Sequence, residues 1–291
     1  MRTLDPVALQ DALRGVRALL LDLDGVIVAA GAAVPGSVDA VAQLERRGVP
    51  YRIVTNTSLV SRATLSRFAA KLGNEIPPER FQSALSASAA FAARAFPGQA
   101  LFVLASVDAI SEFEGQRLLS SDEAARPGTR VAAVVIGDSP EALTYDNLNL
   151  AFRLVRNGAR LIGMHRNPWW LTPDGPTLDS GAYVTGLEFA TGVRAQIIGK
   201  PAPAFFSLAV DALRREIASK GERLRRAEIA MVGDDVRTDV LAGQRAGLRG
   251  VLVLTGKHGL DTVAAAHGHG RGGQEPHAVA PSLADVVAAL D

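Results

Sequence analysis

The stretch Ala18-Leu19-Leu20-Leu21-Asp22-Leu23-Asp24-Gly25-Val26-Ile27 constrains the fold more than any other part of the chain. Its opening apolar run is too short for a helical period and offers no polar face. It is therefore expected to form a strand buried on both sides, as in a parallel sheet. Two carboxylates spaced i, i+2 follow at once, and then a glycine that predicts a turn. Acids at the carboxyl end of such a strand stand where open α/β sheets hold their ligands. Asp and Gly are also ordinary turn residues, so the pair taken alone fits a solvated turn equally well. The partners supplied by the rest of the chain decide between the two.

Those partners arrive through a repeated strand and helix alternation. Ser37 can cap a helix carrying Val38, Val41 and Leu44 at helical spacing, with Gly48 to end it. Tyr51-Arg52-Ile53-Val54 is the next strand and runs into Thr55-Asn56-Thr57-Ser58. Strand, helix and strand in so short a span make a βαβ unit with a right-handed parallel crossover. Further strands are expected at 100–104, 131–136, 161–164, 195–198, 227–232 and 250–254, with helices at 61–72, 86–96, 143–156, 184–191 and 203–219. One more helix is expected before Gly247, and a last one is capped by Ser282. The loop His165-Arg166-Asn167-Pro168-Trp169-Trp170 is rich in unusual residues, and the Gly- and His-rich stretch 267–281 reads as a solvated loop. Its His267, His269 and His277 are flanked by Gly and Arg, which favours solvation over a metal tract.

Composition narrows the class. With 291 residues, 48% of them hydrophobic and 21% charged, the chain can bury a large core or two medium ones. A formal charge of +1 gives no electrostatic case for nucleic acid or an anionic membrane. The absence of cysteine removes disulfides, thiolate metal sites and a Cys nucleophile, and it fits a reducing, cytoplasmic setting. The opening residues lack the apolar core of a signal peptide, and no run is long enough for a membrane span. Only Lys71, Lys200, Lys220 and Lys257 are present, so each lysine is informative.

Four expected strand ends carry polar groups: Asp22 and Asp24, Thr55 and Asn56, Lys200, and Asp234, Asp235 and Asp239. In one parallel sheet these ends would converge on a single crevice. Carboxylates with one lysine and one hydroxyl suit a divalent cation and a phosphate, since hard oxygens hold Mg²⁺. A carboxylate can also act as nucleophile in phosphoryl transfer, with a second acid to move the proton. Asp235 and Asp239 fit helix-terminal acids as well, and Asn56 fits a residue that only ties its own loop.

Asp-Leu-Asp-Gly-Val at 22–26, Val-Thr-Asn-Thr at 54–57, Gly-Lys-Pro at 199–201 and Gly-Asp-Asp-Val-Arg-Thr-Asp at 233–239 resemble, in order, the four motifs of the haloacid dehalogenase (HAD) superfamily. The flanks Val34-Pro35-Gly36, Phe152 to Ala159 and Leu252-Val253-Leu254-Thr255-Gly256-Lys257 extend the resemblance over almost the whole chain. Within the superfamily it resembles the NagD-like subfamily (subfamily IIA), near the phospholysine/phosphohistidine inorganic pyrophosphate phosphatases. The resemblance implies an α/β fold, a Rossmann-like parallel-sheet core with an inserted α/β cap domain. The core would be residues 1–81 and 194–291, with the cap at 82–193.

It implies a Mg²⁺-dependent phosphatase acting on a small phosphorylated metabolite through an aspartyl-phosphate. Asp22 would be nucleophile and metal ligand, and Asp24 general acid/base with its backbone carbonyl on the metal. Asp234 would be the third ligand, with Asp235 and Asp239 behind it. Thr55 and Asn56 would bind phosphoryl oxygens, and Lys200 would stabilise the intermediate. Trp169, Trp170 and Asn167 lie in the loop where relatives place substrate-contacting cap residues, and Asn167 and Trp170 are the candidates for substrate contact. For the two tryptophans, packing between cap and core or a dimer face is the favoured alternative. Dehalogenation is disfavoured because that branch lacks an acid at the position of Asp24. Relatives that dimerise through the cap imply a homodimer. The rival reading is a catalytically silent metabolite-binding protein on the same scaffold, which intact Asp22, Asp24, Lys200 and Asp234 oppose.

Overall fold

The computed structural model describes residues 4, 6–172, 175–257 and 275–290. The chain forms two compact units: the first combines residues up to Thr55, Ser66–Gln82 and the chain from Lys200 onward, and the second combines Asn56–Leu65 with Ser83–Gly199. Among the described residues no helix is long and apolar enough to cross a membrane.

The first unit is built on a six-stranded sheet. Ala18–Leu21 lies in its middle, between Tyr51–Thr55 on one side and Ile229–Gly233 on the other. Arg249–Val253 and Ala278–Ala280 extend the sheet beyond Ile229–Gly233, and Phe81–Ser83 lies beyond Tyr51–Thr55. The ladders on both sides of Ala18–Leu21 are parallel, with Leu20 opposite Met231 and Arg52. Every residue from Ala18 to Leu21 is fully buried, as the unbroken apolar run requires. Helix Pro203–Ala218 turns Phe205, Phe206, Ala209, Val210, Leu213 and Ile217 inward at helical spacing. Three neighbouring strands therefore end side by side, at Leu21, Thr55 and Gly233.

The second unit carries a five-stranded sheet ordered Gln196–Ile197, Arg160–Gly163, Ala133–Ile136, Ala100–Leu104 and Arg117–Leu118, with every ladder parallel. Phe102, Val134, Ile136, Leu154 and Val184 pack together in its core. The segment Asn56–Leu65, expected to follow its strand into the first domain, belongs to this unit. Its side chains explain why. Ser61 Oγ donates to Asp108 at 3.1 Å, and Arg62 pairs with Glu112 at 2.9 Å. The second unit also runs past the expected boundary at residue 193, because Gln196–Ile197 pairs with Ile162 and Gly163.

Four local expectations are corrected. Ser37 is the first helical residue and not the cap; Gly36 holds that place at φ +79°, and Ser37 Oγ donates to the Ile27 carbonyl at 3.0 Å. The strand before Lys200 lies in the second sheet, so the four polar strand ends do not share one sheet. Trp169 and Trp170 sit on a strand, Trp169–Thr172, paired antiparallel with Gly175–Leu178, and not in a loop. The stretch 267–281 is not all loop: Ala278–Ala280 is buried and adds the edge strand, because an apolar Ala-Val-Ala triplet completes the sheet. There His277 Nδ1 accepts the Gly250 N–H at 2.9 Å, while His267 and His269 lie outside the described residues.

Leu20→Ala removes a fully buried side chain from the central strand. It is expected to destabilise the protein by about 2–5 kcal/mol, measured by urea denaturation. An unchanged midpoint would contradict the placement of that strand.

Candidate active site

The strand end builds the site outward from the backbone. Asp22 N–H still donates to the Val232 carbonyl at 2.9 Å, so the first acid is held by the ladder. Its Oδ1 accepts the Leu23 N–H at 2.8 Å. The chain then turns at Gly25, whose φ of +73° is one that only glycine adopts readily, and Gly25 N–H closes onto the Val28 carbonyl at 2.7 Å. Asp22 is buried by this turn, whereas Asp24 is exposed. Thr55, fully buried at the end of the neighbouring strand, hydrogen-bonds the Asp24 carboxylate through its hydroxyl.

Lys200 is buried and places its Nζ 2.7 Å from Asp22 Oδ1 and 2.7 Å from Asp239 Oδ1, while donating to the Val54 carbonyl at 3.2 Å. Although its strand belongs to the other sheet, its side chain meets the acids as the motif order implies. On the far side Asp234 follows Ile229–Gly233 directly. The chain then enters a π-helical turn, Val236–Leu241, in which Val240 N–H reaches back to the Asp235 carbonyl. Asp235 caps this turn by accepting the N–H groups of Arg237 and Thr238 at 2.8 and 3.0 Å. Asp239 Oδ2 in turn accepts the Asp235 N–H at 3.2 Å.

Asp22, Asp234 and Asp239 offer carboxylate oxygens that all lie within 4.8 Å of one another. Burial raises Asp22 to about 6; Lys200 opposes that rise, and Asp234 adds to it. Burial likewise raises Asp234 to about 6, against the Lys257 N–H that favours its ionised form. Asp239 is pushed well above the usual carboxylate range, first by burial and then by Asp22. For Lys200 burial works downward, but the facing carboxylates of Asp22 and Asp239 more than reverse it and keep the ammonium charged. One lysine therefore stands against three buried acids. A hard divalent cation is the group whose chemistry fits this donor set.

Three glycines make room for the acids, and the sequence reading gave them no role in the site. A Cβ on Gly25 or Gly256 would stand 2.3 or 2.1 Å from Asp234 Oδ2, and one on Gly233 would stand 2.4 Å from the Asp239 Cβ. The signal was present in the matched flanks, where Gly25, Gly233 and Gly256 all fall inside motif segments. Asn56 and Asn167 lie together in the second unit, with Asn56 Nδ2 donating to Asn167 Oδ1 at 3.5 Å. His165, also buried there, places Nε2 3.0 Å from Ser58 Oγ and 3.2 Å from Ser180 Oγ. Burial lowers its pKa to about 4, so it is neutral and serves this network as a hydrogen-bonding ring. Trp170 is partly exposed on its hairpin strand.

The comparisons agree with this construction. Residues 19–118 match the family described as haloacid dehalogenase-like hydrolase, and residues 197–286 match the HAD-hydrolase-like family. Haloacid dehalogenase-like hydrolase domain-containing protein 2 of Bos taurus is 37% identical over 84% of this chain and 86% of its own. The chain belongs to the haloacid dehalogenase-like hydrolase superfamily. Phospholysine phosphohistidine inorganic pyrophosphate phosphatase of Xenopus laevis is 36% identical, over 84% of this chain and 85% of its own. Among solved structures, a p-nitrophenyl phosphatase from Archaeoglobus fulgidus superposes with a TM-score of 0.82 at 28% identity, covering 94% of this chain and 99% of that one. NagD from E. coli K-12 superposes with a TM-score of 0.78 at 26% identity, covering 92% and 97%. These neighbours place the chain in the NagD-like subfamily, and it is a hydrolase of the phosphatase class.

The raised acids carry a stability consequence. A carboxyl whose folded pKa exceeds its unfolded value binds more protons when folded, so its contribution is lost as pH rises through the folded value. Asp234→Asn removes the buried charge at a group raised to about 6. The metal-free variant is expected to melt a few degrees above the parent near pH 8, with the gap closing towards pH 4. Calorimetry in chelator checks this; a variant less stable at pH 8 would contradict the charge assignment.

Proposed function

We propose that the protein is a Mg²⁺-dependent phosphomonoesterase for a small phosphorylated metabolite, working through an aspartyl-phosphate on Asp22. The observation that carries this reading is the Lys200 ammonium held 2.7 Å from both Asp22 and Asp239 in a buried acid cluster. A nucleophilic carboxylate beside a fixed cation is what in-line attack on a phosphoryl group needs, since positioning and charge stabilisation supply most of its catalysis.

Asp22 would attack phosphorus, forming the Asp22 Oδ–P bond as the bond to the leaving oxygen breaks. Asp24, exposed and hydrogen-bonded to Thr55, would protonate that oxygen. Its carboxylate would then take a proton from the water that attacks phosphorus, and cleavage of the Asp22 Oδ–P bond would free inorganic phosphate and return Asp22. Thr55 and Asn56 are assigned to the phosphoryl oxygens, and Lys200 to the negative charge on the acyl phosphate. Asp22, Asp234 and the backbone carbonyl of Asp24 would hold Mg²⁺, with Asp235 and Asp239 supporting them. When bound, the cation offsets charge on the substrate phosphate. The second unit is proposed as the family's cap, with Asn167 and Trp170 as contributors to leaving-group choice.

Asp22→Asn changes one oxygen to nitrogen and is expected to lower hydrolysis of p-nitrophenyl phosphate with Mg²⁺ by at least about 10³-fold. Circular dichroism of the variant should match the parent. Robust Mg²⁺-dependent turnover by a folded Asp22→Asn protein would remove Asp22 as nucleophile. Excess chelator should likewise silence the parent and added Mg²⁺ restore it; turnover indifferent to chelator would remove the cation from the reading.

A further inference from the structure

The segment Thr255-Gly256-Lys257 follows strand Arg249–Val253, next to the strand that ends at Gly233. It makes three contacts with the acid cluster and the turn beside it. Thr255 Oγ1 donates to the Gly25 carbonyl at 2.5 Å. Lys257 N–H donates to Asp234 Oδ2 at 2.6 Å. Gly256 lies so close that a Cβ there would stand 2.1 Å from Asp234 Oδ2 and 2.6 Å from Gly25 Cα. One oxygen of Asp234 is thus lodged between the Cα atoms of two glycines and tied to a backbone amide. The Lys257 side chain adds an ion pair at 3.5 Å to Asp235.

We infer that Thr255-Gly256-Lys257 is a positioning clasp for the cation site: it fixes the orientation of Asp234 and locks the Asp22-to-Asp24 turn so that the two strand ends present their oxygens together. The inference rests on the reading of Asp234 as a metal ligand. Three features give the clasp this role over plain loop packing. Its amide is spent on one carboxylate oxygen of Asp234, at 2.6 Å, a charge-assisted hydrogen bond that fixes where the other oxygen points. Its hydroxyl is spent on the carbonyl at the centre of the Asp24-Gly25 turn, the backbone that joins the proposed nucleophile to the rest of the site. Its glycine is the residue that lets both bonds form at once. Groups that hold a ligand's orientation set metal affinity as strongly as many direct contacts do, since an untethered carboxylate must be ordered when the cation binds.

The test is Mn²⁺ binding to the full chain, by electron paramagnetic resonance of free Mn²⁺ and by calorimetry, for the parent and for Thr255→Val, Thr255→Ser and Gly256→Ala. Thr255→Val keeps the shape and loses the donor, and is expected to weaken Mn²⁺ about 10-fold; Thr255→Ser keeps the donor and should bind as the parent does. Gly256→Ala is expected to weaken it about 100-fold. The Mg²⁺ concentration for half-maximal turnover of p-nitrophenyl phosphate should rise in parallel for Thr255→Val, with kcat at saturating Mg²⁺ nearly kept. Equal Mn²⁺ affinity in the parent and Thr255→Val overturns the clasp. If Gly256→Ala fails to fold, the Val and Ser pair decides, because it differs by one hydroxyl. A parent that binds neither Mn²⁺ nor Mg²⁺ removes the cation reading itself, which is a different outcome from a parent that binds and variants that bind as well.

Discussion

The interaction on which the rest depends is the buried ammonium of Lys200 between Asp22 and Asp239. Three carboxylates brought out of water within 4.8 Å of one another repel, and burial raises them all. Without a counter-charge such a cluster would neutralise itself by taking up protons. The lysine lowers that tendency at Asp22 but leaves a negative excess on the Asp234 side. Structure and chemistry meet at this imbalance: one flank is satisfied by a residue of the chain, and the other is where the proposed cation would bind. A stably paired set of equal charges would have been a poor place to bind either metal or phosphate.

Close approach is the second constraint. The acids come together because glycines lie between them, at Gly25, Gly233 and Gly256. The parallel sheet explains why those positions are available. Neighbouring strands stand about 5 Å apart, so the turns that leave adjacent strand ends touch unless side chains are absent. Strand order Ile229–Gly233, Ala18–Leu21, Tyr51–Thr55 is thus coupled to glycine at the exits of the strands that carry acids.

The central strands were legible in the sequence because burial on both faces leaves an unmistakable trace: Leu19-Leu20-Leu21, Ile53-Val54 and Ala230-Met231-Val232 are unbroken apolar runs. The acids at their ends were legible for the same reason, since each directly follows such a run. What escaped reading was set by tertiary contact. Nothing local to Gln196-Ile197 distinguishes a strand of the first sheet from one of the second; its partner at Ile162 and Gly163 does. Ser37 looks like a cap, but its hydroxyl is drawn to the Ile27 carbonyl and Gly36 takes the place. Trp169 and Trp170 read as loop because their hairpin partner, Gly175-Pro176-Thr177-Leu178, has weak strand propensity. The π-helical turn after Asp235 left no sequence signal, and it sets the local geometry through which Asp239 reaches Lys200.

If the proposed reaction holds, Asp22 carries the phosphoryl group during turnover. Rapid quenching of the protein with a phosphomonoester substrate and Mg²⁺, followed by borohydride reduction and mass spectrometry of the peptides, measures this directly. Homoserine is expected at position 22, formed from the acyl phosphate, and none at Asp24, Asp234 or Asp239. Reduction at one of those other positions, or no acyl phosphate at any residue under steady turnover, would contradict it.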